Sequence, residues 1–238
     1  MTRIIIFTDF DGTLTKKTGL ATVETPFYKS LFVKRLTKQG EYRTGQLKKS
    51  EEIQRLFKEK FDADEQTDTE MLIAPEAIAF FRDMLQLPDV AIYIVTKNRA
   101  EYIRELLIYQ GFSEKDLTLI NIYDSCYKGR DVSTILASQI SRADFLFFIE
   151  DSEEDCKLMV EGAKSKQYSD DQMIQYVNKP GNFQWNQYQE AIETKLKVKN
   201  ETLQNYSNHN FFKDQIKFKA LTTPDSVNQD TDLTKPEI

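Results

Sequence analysis

Short apolar runs alternate along this chain with stretches in which apolar residues recur every three or four positions. Ile4-Ile5-Ile6-Phe7 places four large apolar residues in succession, the pattern of a strand buried on both faces. Ser50 to Phe61 carries Ile53, Leu56, Phe57 and Phe61 at helical spacing, and Ser50 with Glu51 and Glu52 suits a helix N-terminus. Pro26 to Leu36 also reads as helix. Gly40 and Gly45 punctuate the gap between these two, and Asp62 to Thr69 is acidic and turn-like. Pro75 opens a helix that carries Ile78, Phe81, Met84 and Leu85 on one face. Strands are then predicted over Val90–Val95, Leu117–Ile122, Phe145–Ile149 and Met173–Val177. The helices between and after them cover Arg99–Tyr109 (closed by Gly111), Val132–Ser141, Glu153–Ala163 and Phe183–Val198.

Strands alternating with helices predict an α/β fold, a three-layer Rossmann-like parallel sheet with right-handed crossovers. The stretch between the first strand and Pro75 breaks that rhythm. Residues 16–71 therefore read as an inserted α-helical cap above the carboxyl ends of the strands, with 1–15 and 72–199 as the core. Residues 200–238 form a polar tail, interrupted by Phe211, Phe212, Ile216 and Phe218, which suit one short docking helix. Disorder is expected over 222–238.

Composition narrows the chemistry. The chain has 238 residues, 40% hydrophobic and 29% charged, which suits a globular protein. No apolar stretch approaches the roughly 20 residues that span a bilayer. The apolar run at the start is too short for a signal peptide, and a cytoplasmic location is expected. Two cysteines, Cys126 and Cys156, argue against a disulfide scaffold. Cys126 and Arg130 stand too close in sequence for the phosphate-wrapping loop of cysteine phosphatases. His209 is the sole histidine and lies in the tail, which argues against a histidine metal site or Ser-His triad. Chemistry must rest on carboxylates, lysine and hydroxyls. Net charge is -6, yet Lys16 to Lys49 holds nine basic residues against Glu24 and Glu41, a local +7. A solvated helical face explains that stretch; a surface attracting a polyanionic substrate explains it too. No DNA-binding motif is present.

Polar residues then appear where apolar runs stop. Asp9-Phe10-Asp11 follows the first strand, and Gly12 lets the chain turn away. Two carboxylates this close need a divalent cation, a shared proton, or both. The second strand delivers Thr96-Lys97-Asn98, a hydroxyl and helix-opening N–H groups suited to phosphoryl oxygens. Lys128 precedes the next helix and offers an ammonium to balance phosphoryl charge, with Lys97 as its competitor. The fourth strand ends in Glu150-Asp151, with Asp155 one helical turn on.

Asp9-Phe10-Asp11-Gly12-Thr13-Leu14-Thr15, Thr96, Lys128 and Glu150-Asp151-Ser152 resemble, in that order, the four motifs of the haloacid dehalogenase (HAD) superfamily, most of whose members are phosphatases. The lysine lacks the commonest Gly-Lys-Pro surroundings. The resemblance covers residues 1 to 15 and about 72 to 165. It implies hydrolysis of a phosphomonoester, with Asp9 as nucleophile forming an aspartyl-phosphate and Asp11 as acid, then base. It also implies Mg2+ held by Asp9, the Asp11 carbonyl, Asp151 and Glu150, directly or through water. Thr96, Lys97 and Lys128 are assigned to the substrate phosphate, and Gly12, Asn98 and Asp155 support the set. An acid at Asp11 disfavours carbon–halogen cleavage, since halide needs no proton. A phosphomutase of the same fold and a catalytically idle binding module remain the alternatives, and a receiver-type signalling domain would be about half this length. Lys-, Gln- and Asn-rich composition with a polar tail is similar to effectors that intracellular bacteria inject into host cells, an alternative to a cytoplasmic role.

Overall fold

The computed structural model describes residues 4–36, 42–62 and 69–197. Residues Met1–Ile192 form one compact unit, and a second begins at Glu193. The polar tail, the docking helix expected around Phe211–Phe218 and most of the Asp62–Thr69 turn lie outside the described residues.

Five parallel strands build the core sheet: β1 (Ile4–Thr8), β4 (Val90–Thr96), β5 (Ile120–Asp124), β6 (Phe145–Glu150) and β7 (Met173–Val177). Their order is β5-β4-β1-β6-β7, so β1 is central and pairs on both sides. All five residues of β1 are buried, which is why its sequence shows no polar alternation. Successive side chains of β1 serve opposite layers. Ile5 and Phe7 pack with Tyr93, Val95, Leu146 and Phe148 beneath α7 (Lys128–Ser138) and α8 (Glu153–Lys164), where Val132, Ile135, Met159 and Val160 close the layer. On the other face Phe147 lies 6.3 Å from Tyr176, which stacks at 4.0 Å on Tyr188 of α9, a helix over 185–197. There Trp185 lies 5.2 Å from Phe80 of α4 (Pro75–Leu85).

The chain runs outward from β1 to β4 and β5, then returns to the opposite side for β6 and β7. That reversal opens a crevice at the carboxyl ends of β1, β4 and β6, where ligands bind in open α/β sheets. The α/β expectation and the parallel sheet are thus met, with shifts at element ends. Leu117–Ile122, expected as strand, is divided between α6 (Glu114–Leu119) and β5. A reciprocal cap between Ser113 and Asp116 starts α6, and the apolar run simply continues past its end. Lys128, expected just before a helix, is itself the first residue of α7.

Between β1 and α4 the chain folds as α1 (Gly19–Glu24), α2 (Pro26–Ser30), a hairpin of β2 (Phe32–Leu36) with β3 (Tyr42–Leu47), and α3 (Ser50–Phe61). The cap therefore carries an antiparallel hairpin as well as helices, a correction to Pro26–Leu36 as helix throughout. Helix α2 stops at Ser30, and Phe32–Leu36 finds its backbone partners in a strand several residues on. Aromatic side chains seat the cap on α5 (Ala100–Tyr109). Phe57 lies 6.3 Å from Tyr102 and 5.4 Å from Tyr109, and Tyr28 lies 4.9 Å from Tyr102. Gln54 Nε2 donates to the Glu105 carbonyl and carboxylate, both at 2.8 Å. Phe57, Tyr102 and Ile53 are fully buried, so this seam is an apolar core and not a wet interface.

Candidate active site

Each strand end in the crevice delivers its polar residues by a local device. After β1, the Asp9 N–H still donates to the Ile149 carbonyl at 3.0 Å, extending the pairing with β6 by one residue. The chain then coils, with the Leu14 and Thr15 N–H groups both donating to the Phe10 carbonyl at 2.8 and 3.1 Å. Phe10 points into the core, edge-on to Tyr102, so Asp9 and Asp11 are left facing the crevice. Gly12 at φ +81° makes that coil possible, and any Cβ there would collide with Asp151 Oδ2.

Lys128 is the electrostatic centre. It is 1% exposed, and its Nζ reaches Glu150 Oε2 at 2.6 Å, Asp9 Oδ1 at 3.0 Å and Asp155 Oδ2 at 3.4 Å. A cation in the first turn of a helix opposes the helix dipole, so these carboxylates must hold it there. Burial lowers its pKa, but Asp9, Glu150 and Asp155 together raise it well above the ordinary lysine value, and Lys128 stays an ammonium. Its helix is drawn in by backbone contact: a Cβ on Gly129 or Gly162 would strike the facing backbone of the α7–α8 pair.

Glu150 is fully buried, and its other oxygen accepts the N–H of Asp151 at 3.1 Å and of Ser152 at 3.4 Å. Burial and then the Asp9 charge push its pKa up to about 9, against the pull of Lys128. Burial likewise raises Asp9, with Lys128 opposing. Asp9, Glu150 and Asp151 each present an oxygen within 4.8 Å of the others. Five carboxylates (Asp9, Asp11, Glu150, Asp151, Asp155) meet two ammonium groups, Lys97 and Lys128, in this crevice. An all-oxygen donor set with excess negative charge fits a hard divalent cation such as Mg2+.

Asp11 stands apart from that cluster. Asn98 Nδ2 donates to its Oδ2 at 2.8 Å, while Oδ1 is buried with no hydrogen-bond partner. Burial raises Asp11 to about 7, with Asp9 adding and the Asn98 bond subtracting. Thr22, from the cap, lies close enough to lower that value somewhat, yet its hydroxyl makes no hydrogen bond within ordinary geometry. Thr96 is buried, and its hydroxyl accepts the Asn98 N–H at 3.2 Å. Lys97 is held at the crevice mouth by Asp155, at 2.8 and 2.9 Å to its two oxygens. The two lysines are thus separated by burial: Lys128 touches Asp9, and Lys97 touches Asp155.

All ten residues singled out from the sequence gather around this crevice, a cavity of about 370 Å³. The cap adds Gly19, Leu20 and Val23 to its walls, residues with no motif to mark them. Among the described residues, none of the basic residues between Lys16 and Lys49 lines it. Lys48, just before α3, pairs with Glu52 of that helix at 2.8 Å.

A five-stranded parallel sheet in this order, with acidic residues at its strand ends, is a HAD-like fold. Among solved structures it is similar to the Legionella pneumophila effector Ceg4, 40% identical over 82% of this chain and 94% of that one, with a TM-score of 0.72. A second Ceg4 structure, carrying a yeast Hog1p sequence at its N-terminus, is 39% identical over 82% and 95%, with a TM-score of 0.71. The HAD domain of the Legionella pneumophila effector Lem4 shares the fold at 24% identity, over 81% and 95%, with a TM-score of 0.63. No protein-family model matches the chain, and no curated protein does. Among the described residues no helix is long and apolar enough to cross a membrane.

Proposed function

We propose that this protein is a Mg2+-dependent phosphatase that hydrolyses a phosphomonoester through an aspartyl-phosphate on Asp9. The observation that carries this reading is the division of labour between two buried carboxylates. Asp9 lies 3.0 Å from a buried ammonium beside a cation-competent cluster, and Asp11, two residues on, is turned away from that cluster with one oxygen free.

In the first step an Asp9 oxygen attacks phosphorus and the bond to the leaving oxygen breaks. Asp11, in its protonated form, donates a proton to the leaving group. In the second step Asp11 takes a proton from water as the water oxygen attacks phosphorus, and the Asp9–phosphorus bond breaks to release inorganic phosphate. A pKa near neutrality suits a group that must both give and take a proton. Lys128, with the Thr96 hydroxyl, suits the equatorial phosphoryl oxygens, where charge accumulates. Asp9, Glu150, Asp151 and the Asp11 carbonyl would hold Mg2+, which when bound offsets the repulsion between nucleophile and phosphate. Asp155 keeps Lys97 and Lys128 in place.

Leu20 and Val23, 70% and 36% exposed over a charged floor, suit an apolar part of the leaving group. The first experiment is phosphate release from nitrophenyl phosphate with Mg2+ or with chelator. Release that requires Mg2+ is expected, and release unaffected by chelator would refute the metal assignment. A screen of phospholipids, nucleotides and phosphopeptides follows.

The likeness to Ceg4 and Lem4, both called effectors, supports a second reading: the protein acts inside a host cell after secretion by a bacterium. A translocation reporter fused to the full chain should reach the host cytosol, and retention in the bacterium would count against this role.

A further inference from the structure

The turn that follows Asp9 and Asp11 walls a second cavity. Thr13, Leu14 and Lys16 line it, together with Glu76 in the first turn of α4 and Trp185 in the first turn of α9. Its volume is about 200 Å³, and it shares no wall residue with the crevice described above. The Ala74 N–H donates to the Leu14 carbonyl at 2.9 Å, tying the start of α4 to the turn. A Cβ on Gly181 would lie 3.7 Å from Lys16 Cγ, so the lysine stem runs along that loop.

Two threonines of the turn differ in how their hydroxyls are used. Thr15 accepts the Gly12 N–H at 3.2 Å and donates to the Lys17 carbonyl at 2.9 Å, which holds the turn. Thr13 is 3% exposed, and its hydroxyl has no hydrogen-bond partner. A buried hydroxyl left unmatched is costly, and the cavity it lines is where a partner can sit.

The charges around the cavity are unmatched as well. Among the described residues neither Lys16 nor Glu76 forms an ion pair, although both line it. Helix α4 opens at Pro75 with no side-chain cap, and α9 opens at the same cavity, so two helix N-termini add partial positive charge. These positive groups suit a carboxylate, and Glu76 suits an ammonium. Phe183 stacks on Trp185 at 5.7 Å and, with Leu14, gives the cavity an apolar shelf. Pockets for drug-sized ligands run to about 300–1,000 Å³, so this one takes a smaller molecule.

We infer that this cavity is a second binding site, for a small zwitterion of the α-amino acid class with an apolar side chain. Its carboxylate meets Lys16 and the Thr13 hydroxyl, its ammonium meets Glu76, and its side chain lies on the Phe183–Trp185 rings. An inorganic anion would leave Glu76 and the rings without a role. The inference does not rest on the phosphatase reading, and its test needs no turnover.

Trp185 is the sole tryptophan, so its fluorescence reports on this cavity. The test titrates L-leucine into the full chain, followed by that fluorescence and by calorimetry. Saturable binding is expected. Isocaproate lacks the ammonium and isoamylamine lacks the carboxylate; each should bind at least about tenfold more weakly. Thr13→Val removes the hydroxyl at nearly constant shape and should weaken L-leucine binding about tenfold, with an unchanged melting temperature. Glu76→Gln should erase the preference for L-leucine over isocaproate, and Lys16→Met the preference over isoamylamine. Absence of saturable L-leucine binding by both readouts would overturn the assignment. Equal binding of either analogue would do the same, as would an L-leucine affinity that all three variants leave unchanged.

Discussion

Asp9→Asn should abolish Mg2+-dependent phosphate release, a loss of at least about 10⁴-fold in kcat. An amide oxygen in this position is a poor nucleophile and carries no charge to direct at phosphorus. The loss should come without unfolding. Burial and the neighbouring Asp151 both disfavour the Asp9 carboxylate, so an isosteric neutral group relieves as much as it removes. Lys128 would keep Glu150 and Asp155 as partners. The expected pattern is an inactive variant whose melting temperature stays near that of the unaltered protein, and which yields no acid-stable phosphorylated protein when quenched during turnover. Activity within tenfold of the unaltered protein would refute Asp9 as nucleophile.

Lys128→Met should damage both activity and stability, and the combination is diagnostic. Methionine fills a similar volume but leaves Asp9, Glu150 and Asp155 facing one another in a site where Glu150 has no exposure. Removing one partner of a buried ion pair costs about 3–5 kcal/mol. At roughly 2–4 °C per kcal/mol for a domain of this size, the melting temperature should fall by about 6 °C or more. Loss of a fixed cation aimed at the phosphoryl group should lower kcat by about 10³-fold. Mg2+ should raise the melting temperature of Lys128→Met more than that of unaltered protein, because it can neutralise the same carboxylates. Equal Mg2+ shifts in thermal melts of the two proteins would show that the cation does not share this cluster. Lys97→Met is the control: Lys97 is 55% exposed and, among the described residues, pairs with Asp155, and a comparable loss of stability there would contradict the separation of the two lysines.

The comparison of the two lysines marks how far sequence reading reaches. Asp9, Asp11, Thr96, Glu150 and Asp151 are legible because each interrupts an apolar run, and a strand buried on both faces tolerates a carboxylate only where it emerges. Glu150 is the sharpest case, a fully buried acid after Phe147, Phe148 and Ile149. The strands themselves were visible for the same reason. The cap hairpin was not, since Phe27, Tyr28, Leu31 and Phe32 continue a helical spacing beyond Ser30, where α2 ends. Pairing with Tyr42–Leu47 is non-local and decides the matter. The start of α6 was legible in principle from Ser113 and Asp116, but the apolar run that crosses its end masked the boundary.

Local chemistry therefore determined the fold class, the order of the strand-end motifs and the identity of the carboxylates, because burial periodicity and interruption are properties of neighbouring residues. Tertiary structure alone decided that Lys128 meets Asp9 while Lys97 meets Asp155, that Leu20 and Val23 wall the crevice, and that Tyr28 and Asp11 both hydrogen-bond to Asn98. Each of these depends on where separate elements come to rest against one another. That is set by packing of the aromatic seam and the sheet layers, and no pattern within a single segment encodes it.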